Sequence, residues 1–208
     1  MKKLILVCLV LISTGAFAQS KYQQGMEKAF ELWKADSSWE AANLFERIAQ
    51  AEPENWLPPF YVAQINVFNS FGESDKEKMV AQMNKARDFL NDAKSLSKDN
   101  PELLVLEAQL LTAWVVFDGQ QYGMKYSPKI AELYQQASVL APENPRVVLG
   151  KAQWDIGTAR FFGQPTEEYC ADIEKAIALF ETEEPAGEFH PRGGGEYAAQ
   201  VLQENCGD

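Results

Sequence analysis

Apolar residues recur every three or four positions along most of this chain, with polar residues between them. Met26, Ala29, Phe30 and Trp33 show the pattern near the start. Side chains at this spacing share one face of an α-helix, so each such stretch predicts an amphipathic helix with one buried stripe. We therefore expect an all-α protein with almost no sheet.

An Ala-Gln pair occurs three times at nearly constant spacing, which indicates a helical repeat array. The pairs are Ala63-Gln64, Ala108-Gln109 and Ala152-Gln153, which lie 45 and 44 residues apart. Each pair follows a turn rich in Pro, Asn and acidic residues, and each precedes a Phe and a Gly. We predict four helix-turn-helix units and a capping helix, at residues 22–55, 56–97, 100–141, 144–184 and about 195–205.

The starts of several helices carry recognisable capping residues. Ser37 to Glu40 and Ser74 to Glu77 have the spacing of a capping box, in which a hydroxyl and a carboxylate bond to free amides. Asn100 and Asn144 each precede a proline at the first helical position, where a missing amide costs nothing. Residues 118–126 are instead predicted to be a long loop, after which a helix restarts at Ser127-Pro128 with Leu140 on its inward face.

The N-terminus has the pattern of a secretory signal peptide. Lys2 and Lys3 precede an apolar run over residues 4–12, and Ala16-Phe17-Ala18 supplies the small residues of a cleavage site. We predict cleavage between Ala18 and Gln19. The apolar run is too short to span a bilayer. The expected product is a single periplasmic or secreted domain, residues 19–208, that does not span the membrane.

The net charge and the cysteine count indicate which partners and which covalent cross-links the protein can have. The chain has a formal net charge of −11, which becomes −13 when Lys2 and Lys3 leave with the signal peptide. An acidic surface repels phosphate backbones, so we expect no nucleic-acid binding. Two cysteines remain after cleavage, Cys170 and Cys206. An even count in an exported protein permits one disulfide, and an antiparallel final helix would bring the two level.

Residues 22–55 resemble a tetratricopeptide repeat, with Ala41, Phe45 and Pro53 at its small, aromatic and proline positions. The mature chain also looks like exported tetratricopeptide-repeat proteins of Bacteroidota-type bacteria, which have no established activity. That resemblance is carried by residues 57–60, 123–128, 144–146, 162–163 and Cys206. It implies a right-handed solenoid whose concave groove, lined by the first helix of each pair, binds peptides or partner proteins.

Two groups of residues are candidates for partner binding. Gln64, Gln109 and Gln153 occur once per repeat beside a small alanine, so they form either a ladder in the groove, with Phe68 beside it, or hydrogen bonds between neighbouring helices. The second group lies in the predicted loop: Tyr122, Lys125 and Tyr126. Long ordered loops are often functional. The alternative is that both rings cover the ends of the third helix pair.

The sequence offers no catalytic, metal or cofactor site. His190 is the single histidine, and its only soft co-ligands would be Cys170 and Cys206. The leading hypothesis is a non-catalytic scaffold for an unidentified protein or peptide. The alternative is a small-molecule or glycan-binding protein that uses aromatic residues of the groove. Ligand size separates them, because a closed pocket of a few hundred Å³ favours a small ligand. The aromatic residues concerned are Phe60, Phe68, Trp114 and Trp154.

Overall fold

The structure is a computed structural model that describes residues 21–206, and these residues form helices joined by short turns, without any strand. The all-α class is therefore confirmed. The predicted signal peptide and its cleavage site lie outside the described residues. Within them, no helix combines the length and the apolar character needed to cross a bilayer. The helices are α1 (21–34), α2 (Ser38–Ala51), α3 (Leu57–Ser70), α4 (Lys76–Leu96), α5 (Pro101–Phe117), α6 (Gly119–Leu140), α7 (Pro145–Phe161), α8 (Cys170–Thr182) and α9 (Gly195–Cys206).

Consecutive helices pack against each other, and α5 also touches both α3 and α7. Helix α3 contacts α2, α4 and α5, while α5 contacts α4, α6 and α7. Helix α7 packs on α8, and α8 packs on α9. Helices α3, α5 and α7, which carry the three Ala-Gln pairs, are therefore neighbours in space. Ala63, Ala108 and Ala152 are all buried, as a close approach of neighbouring helices requires.

The predicted caps are confirmed at two helices and differ at two others. Asn100 and Asn144 accept backbone N–H bonds at the starts of α5 and α7. At α4 the cap is Asp75, whose carboxylate accepts from the amides of Glu77 and Lys78, so the hydroxyl predicted for that role is not used. Ser37 precedes α2 but makes no side-chain cap bond.

Residues 118–126 are not a loop, as the sequence suggested, but the first turns of a continuous helix. Helix α6 begins at Gly119, capped by the carboxylate of Asp118, and continues past Pro128 to Leu140. A proline inside a helix removes one amide bond, and its ring also crowds the carbonyl group four residues before it. The packing of α6 on α5 offsets that cost. The predicted inward position of Leu140 is also wrong. Leu140 is the last residue of α6 and is 49% exposed.

Burial is greatest along α3, and not along the more apolar α5 as its composition suggests. Eleven of the fourteen residues of α3 are buried, against eight of the seventeen in α5. The buried side chains form two clusters: a main core that runs from α1 to the start of α7, and a minor core between α7, α8 and α9. The minor core includes Ile156, Ile173 and Val201. Helix α9 thus covers the last apolar face, as expected of a capping helix.

The structure joins Cys170 and Cys206 in a disulfide, with their Cα atoms 5.9 Å apart. Cys170 begins α8 and Cys206 ends α9, so the bond closes the two antiparallel helices at one end. The chain between the helices is irregular from residue 183 to residue 194. Gly193 and Gly194 have φ angles of +77° and +120°, which side chains disfavour, and they turn the chain into α9.

Candidate ligand-binding site

The three repeated glutamines differ in their surroundings. Gln64, Gln109 and Gln153 are all half-buried on their helices. The side-chain amide of Gln153 donates to the hydroxyl of Tyr197 on α9, at 2.7 Å. Gln64 and Gln109 make no side-chain hydrogen bond to any residue that the structure describes. One of the three glutamines therefore joins neighbouring helices, and the other two keep their amides available.

Tyr122, Lys125 and Tyr126 lie together on the first turns of α6. The ring of Tyr122 lies 4.9 Å from that of Trp114 and stacks on Tyr126 with centroids 5.7 Å apart. The ammonium of Lys125 lies 4.9 Å from the centre of the Tyr126 ring. This arrangement covers the end of α5, and only Lys125 of the three is fully exposed. Phe68, on α3, is 43% exposed.

Two of the aromatic residues predicted to line a groove lie in the core instead. Phe60 is 1% exposed and Trp114 is 7% exposed, so neither presents a face to a ligand. Trp154 is half-buried on α7. Apolar periodicity predicted that these helices are amphipathic, but it did not distinguish the core stripe from positions beside it. A ligand in the groove would therefore meet few aromatic faces from this set.

An irregular stretch of the chain, which we call the crossing segment (residues 183–192), runs from the end of α8 back to α1 and α3. Its anchor is Phe189. The Phe189 ring stacks on Phe30 at 6.1 Å and meets Tyr22 edge-on at 5.6 Å. The hydroxyl of Tyr61 donates to the backbone carbonyl of Phe189 at 2.7 Å. Burial raises the pKa of Tyr61 above its ordinary value, and the charge of Glu102 adds to the effect.

Arg146 fastens the other end of the crossing segment. Its Nε and Nη2 atoms donate to the two oxygens of Glu102 on α5, at 2.9 and 2.8 Å. Nη1 donates to Glu183 at 3.0 Å, and Nη2 donates to it as well. The three side chains are only 11–17% exposed. Burial alone would lower the pKa of Arg146, but the bonds to Glu183 and Glu102 raise it above its ordinary value, so the guanidinium stays charged.

A cavity of about 350 Å³ lies between the crossing segment and the starts of α5 and α7. Trp56 and His190 form part of its wall, with their rings edge-to-face at 5.6 Å. The Nδ1 atom of His190 is buried without a partner among the described residues, and it faces the Cα of Gly187. Cys170 and Cys206, the co-ligands that a metal site with His190 would need, are joined to each other.

A groove of about 690 Å³ lies between the end of α4, the start of α5 and the end of α6, and we call it the α4–α6 groove. Its apolar lining comes from four residues, Leu103, Leu104, Val139 and Leu140, and its other lining residues are polar or charged, Asp99 among them. Val139 and Leu140 on α6 are 73% and 49% exposed there. Lys94 and Lys98 contribute two cations, of which Lys94 pairs with Glu107. The groove is lined by Lys94, Ser97, Lys98, Asp99, Asn100, Leu103, Leu104, Gln135, Gln136, Val139 and Leu140.

Sequence reasoning missed both the crossing segment and the α4–α6 groove. The segment lacks any periodic pattern, and the partners of its anchor Phe189 lie more than a hundred residues away in sequence, such as Tyr61. The groove had one local signal. Val139-Leu140 places two adjacent apolar residues at a helix end, and two adjacent helical residues cannot both face a narrow buried stripe.

Comparison with known proteins identifies one fold relative and leaves the family open. The solved structure of the HusA haemophore from Porphyromonas gingivalis superposes with a TM-score of 0.76 and 23% sequence identity. The match covers 89% of this chain and 92% of that one. No protein-family model and no curated protein matches the sequence. The likeness is therefore one of fold, and membership of the tetratricopeptide family stays a prediction.

Proposed function

We propose that this is an exported, non-catalytic binding protein for an amphipathic small molecule that carries carboxylates, and that the α4–α6 groove holds it. The observation that carries the proposal is the groove itself. Its volume lies in the range of small-ligand sites, about 300–1,000 Å³. Its exposed apolar walls offer contact area to a hydrophobic body. Lys98, Gln135 and Gln136 offer N–H donors to carboxylates at the edge.

Two observations favour a small ligand over a long peptide along the whole inner face. The crossing segment already covers the starts of α3, α5 and α7, so that face is not open from end to end. The hydroxyl of Tyr197 also reaches Gln153 across the same face. An open groove was the condition for the peptide hypothesis, and the closed part of this face does not meet it.

Haem-like tetrapyrroles are the ligand class we would test first. They are flat, apolar and dicarboxylated, and the fold relative is described as a haemophore. The lining of the α4–α6 groove contains no His, Cys, Met or Tyr. Binding there would therefore rely on apolar contact and on ion pairs with carboxylates, without a protein ligand to iron. The proposal accordingly extends to porphyrins that lack the metal.

The test is a titration of the purified protein with haem and with metal-free protoporphyrin, followed by absorbance. Val139→Asn should weaken both ligands about five- to tenfold, because a loss of about 1–1.4 kcal/mol corresponds to that change in affinity. The matched control is Val116→Asn, since Val116 is 65% exposed and is also the penultimate residue of its helix.

A second pair of variants tests the charge. Lys98→Glu should weaken binding several-fold, and more so at low salt, whereas Lys34→Glu at the exposed end of α1 should leave it unchanged. Equal affinities across all four variants would place the ligand elsewhere. No binding of either porphyrin by the folded protein would exclude this ligand class.

A further inference from the structure

A few side chains of α1 and α3 converge on one residue of the crossing segment, Phe189, as side chains of a binding site converge on a ligand. Phe30 and Tyr22 contact the ring of Phe189, and Tyr61 binds its carbonyl. The side-chain amide of Gln23 donates to Glu188 at 3.0 Å. These four residues belong to α1 and α3, and they form what we call the aromatic cradle.

No residue of the crossing segment belongs to the buried set of either core. Phe189 is only partly buried against the main core, and the minor core is built from α7, α8 and α9. The flanking residues Glu184, Pro185 and Ala186 are exposed on one side, and Arg192, Gly193 and Gly194 are exposed on the other. Within the segment, one turn from Gly187 to His190 presents the aromatic ring. Residues 187–191, of which Pro191 is buried, therefore form a short anchored turn between two solvent-exposed links.

We propose that the aromatic cradle is a peptide-binding site for a turn-forming segment with one aromatic side chain, and that residues 183–192 are its internal occupant. The chemistry of the occupant defines the partner. Such a peptide has an acidic residue that can reach Arg146, a phenylalanine in a tight turn and a proline two residues after it. The segment is part of the same chain as the cradle, so its effective concentration at the cradle is high. A free peptide is therefore excluded until the contacts of the segment with the cradle are weakened.

The partner site differs from the α4–α6 groove, since none of the four cradle residues lines that groove. A failure to bind porphyrins would therefore not contradict the peptide-site proposal, and a failure to bind the peptide would not contradict the small-ligand proposal. The cradle is polar enough to select a backbone as well as a ring, because Tyr61 is a donor that needs an acceptor when it is buried.

The experiment uses a fluorescent synthetic peptide with the sequence of residues 183–192, Glu-Glu-Pro-Ala-Gly-Glu-Phe-His-Pro-Arg, and measures its anisotropy with the full mature chain. Phe189→Ala loosens the internal occupant and leaves the cradle intact. The peptide should bind this variant at least tenfold more tightly than it binds the unaltered protein. The matched control is Phe161→Ala, which removes a phenylalanine that is 82% exposed on α7 and should bind no better than the unaltered protein.

A second opening variant covers the case in which Phe189→Ala does not fold. Glu183→Gln with Glu188→Ala weakens two anchors that belong to the segment and changes no helix residue of the cradle. A peptide with Ala in place of Phe should bind none of these proteins. Equal binding to opened and unaltered protein, or no binding to a folded opened variant, would show that the segment is a fixed part of the fold.

Discussion

Arg146 and Glu102 lie 44 residues apart in sequence, and they meet through paired hydrogen bonds between the second residues of α7 and α5. Each follows the cap-and-proline start of its helix, so the same turn chemistry sets both positions. Glu102 lies at the positive end of its helix, where an acidic residue is favourable. Arg146 sits at the unfavourable end for a cation, and two carboxylates offset that cost. The pair links α7 to α5, and Glu183 adds the crossing segment to the same ion network.

Arg146→Ala should destabilise the protein by about 3–5 kcal/mol, because it leaves two carboxylates buried without their cation. Arg146→Lys should recover only part of that loss, since an ammonium cannot make the paired bonds to both partners. Urea unfolding followed by circular dichroism measures both variants. Arg160→Ala, an exposed arginine in the last turn of the same helix, should cost less than about 1 kcal/mol. Similar losses for Arg146→Ala and Arg160→Ala would show that the buried network contributes little.

Removal of the disulfide should lower stability without changing the fold. The bond between Cys170 and Cys206 spans 36 residues, and the chain-entropy estimate for such a loop is about 3–4 kcal/mol. Cys170→Ser with Cys206→Ser should show this loss in urea unfolding. Reducing agent should lower the unaltered protein to the same value and leave the double variant unchanged. A reducing agent that shifts both proteins equally would mean that its effect is not on this bond.

The features that the sequence predicted correctly are those encoded within a few residues. Apolar spacing places the helices, and Asn100 and Asn144 mark two helix starts, because a cap acts on amides two or three residues away. The first turns of α6 were misjudged for the same reason. Gly123 and Pro128 are weak helix formers locally, but the stack of Tyr122 and Tyr126 against Trp114 holds those turns in helix.

The features that the sequence did not predict depend on distant contacts. Phe189 reads as one apolar residue in a loop, and its partners Tyr22 and Tyr61 lie in the first two helix pairs. From the sequence alone, Gly150 is a residue of low helix propensity in the interior of α7. A Cβ there would lie 2.8 Å from the ring of Tyr134, so the glycine allows α6 to approach. Neither pairing leaves a periodic trace, which is why both could be found only in three dimensions.

Stability should fall as the pH rises above about 10, where tyrosines of the unfolded chain ionise. Burial raises the pKa of Tyr134 and of Tyr61, so both stay protonated in the folded protein when the unfolded chain has lost those protons. The folded state then binds more protons, and the free energy of unfolding decreases with pH. The stabilisation that these two tyrosines contribute is fully present below about pH 10 and is lost as the pH rises above that value.

Urea unfolding at several pH values between 8 and 11 measures this dependence. Tyr134→Phe should flatten the decline, because it removes one of the groups that drive it. The matched control is Tyr126→Phe, which removes a hydroxyl from a tyrosine of the same helix. A decline that is the same in Tyr134→Phe and in the unaltered protein would assign the effect to other groups, such as the lysines.

The repeated glutamines give the last prediction, since only one of the three has a partner in the structure. Gln153→Ala loses the bond to Tyr197 and should cost about 0.5–1.5 kcal/mol, toward the lower end because the bond is exposed. Gln64→Ala and Gln109→Ala should each change the free energy of unfolding by less than about 0.5 kcal/mol. If these two line a binding surface, the double change should weaken capture of a crosslinked partner while the melting temperature stays constant. A large fall in stability for Gln64→Ala or Gln109→Ala would instead make them structural.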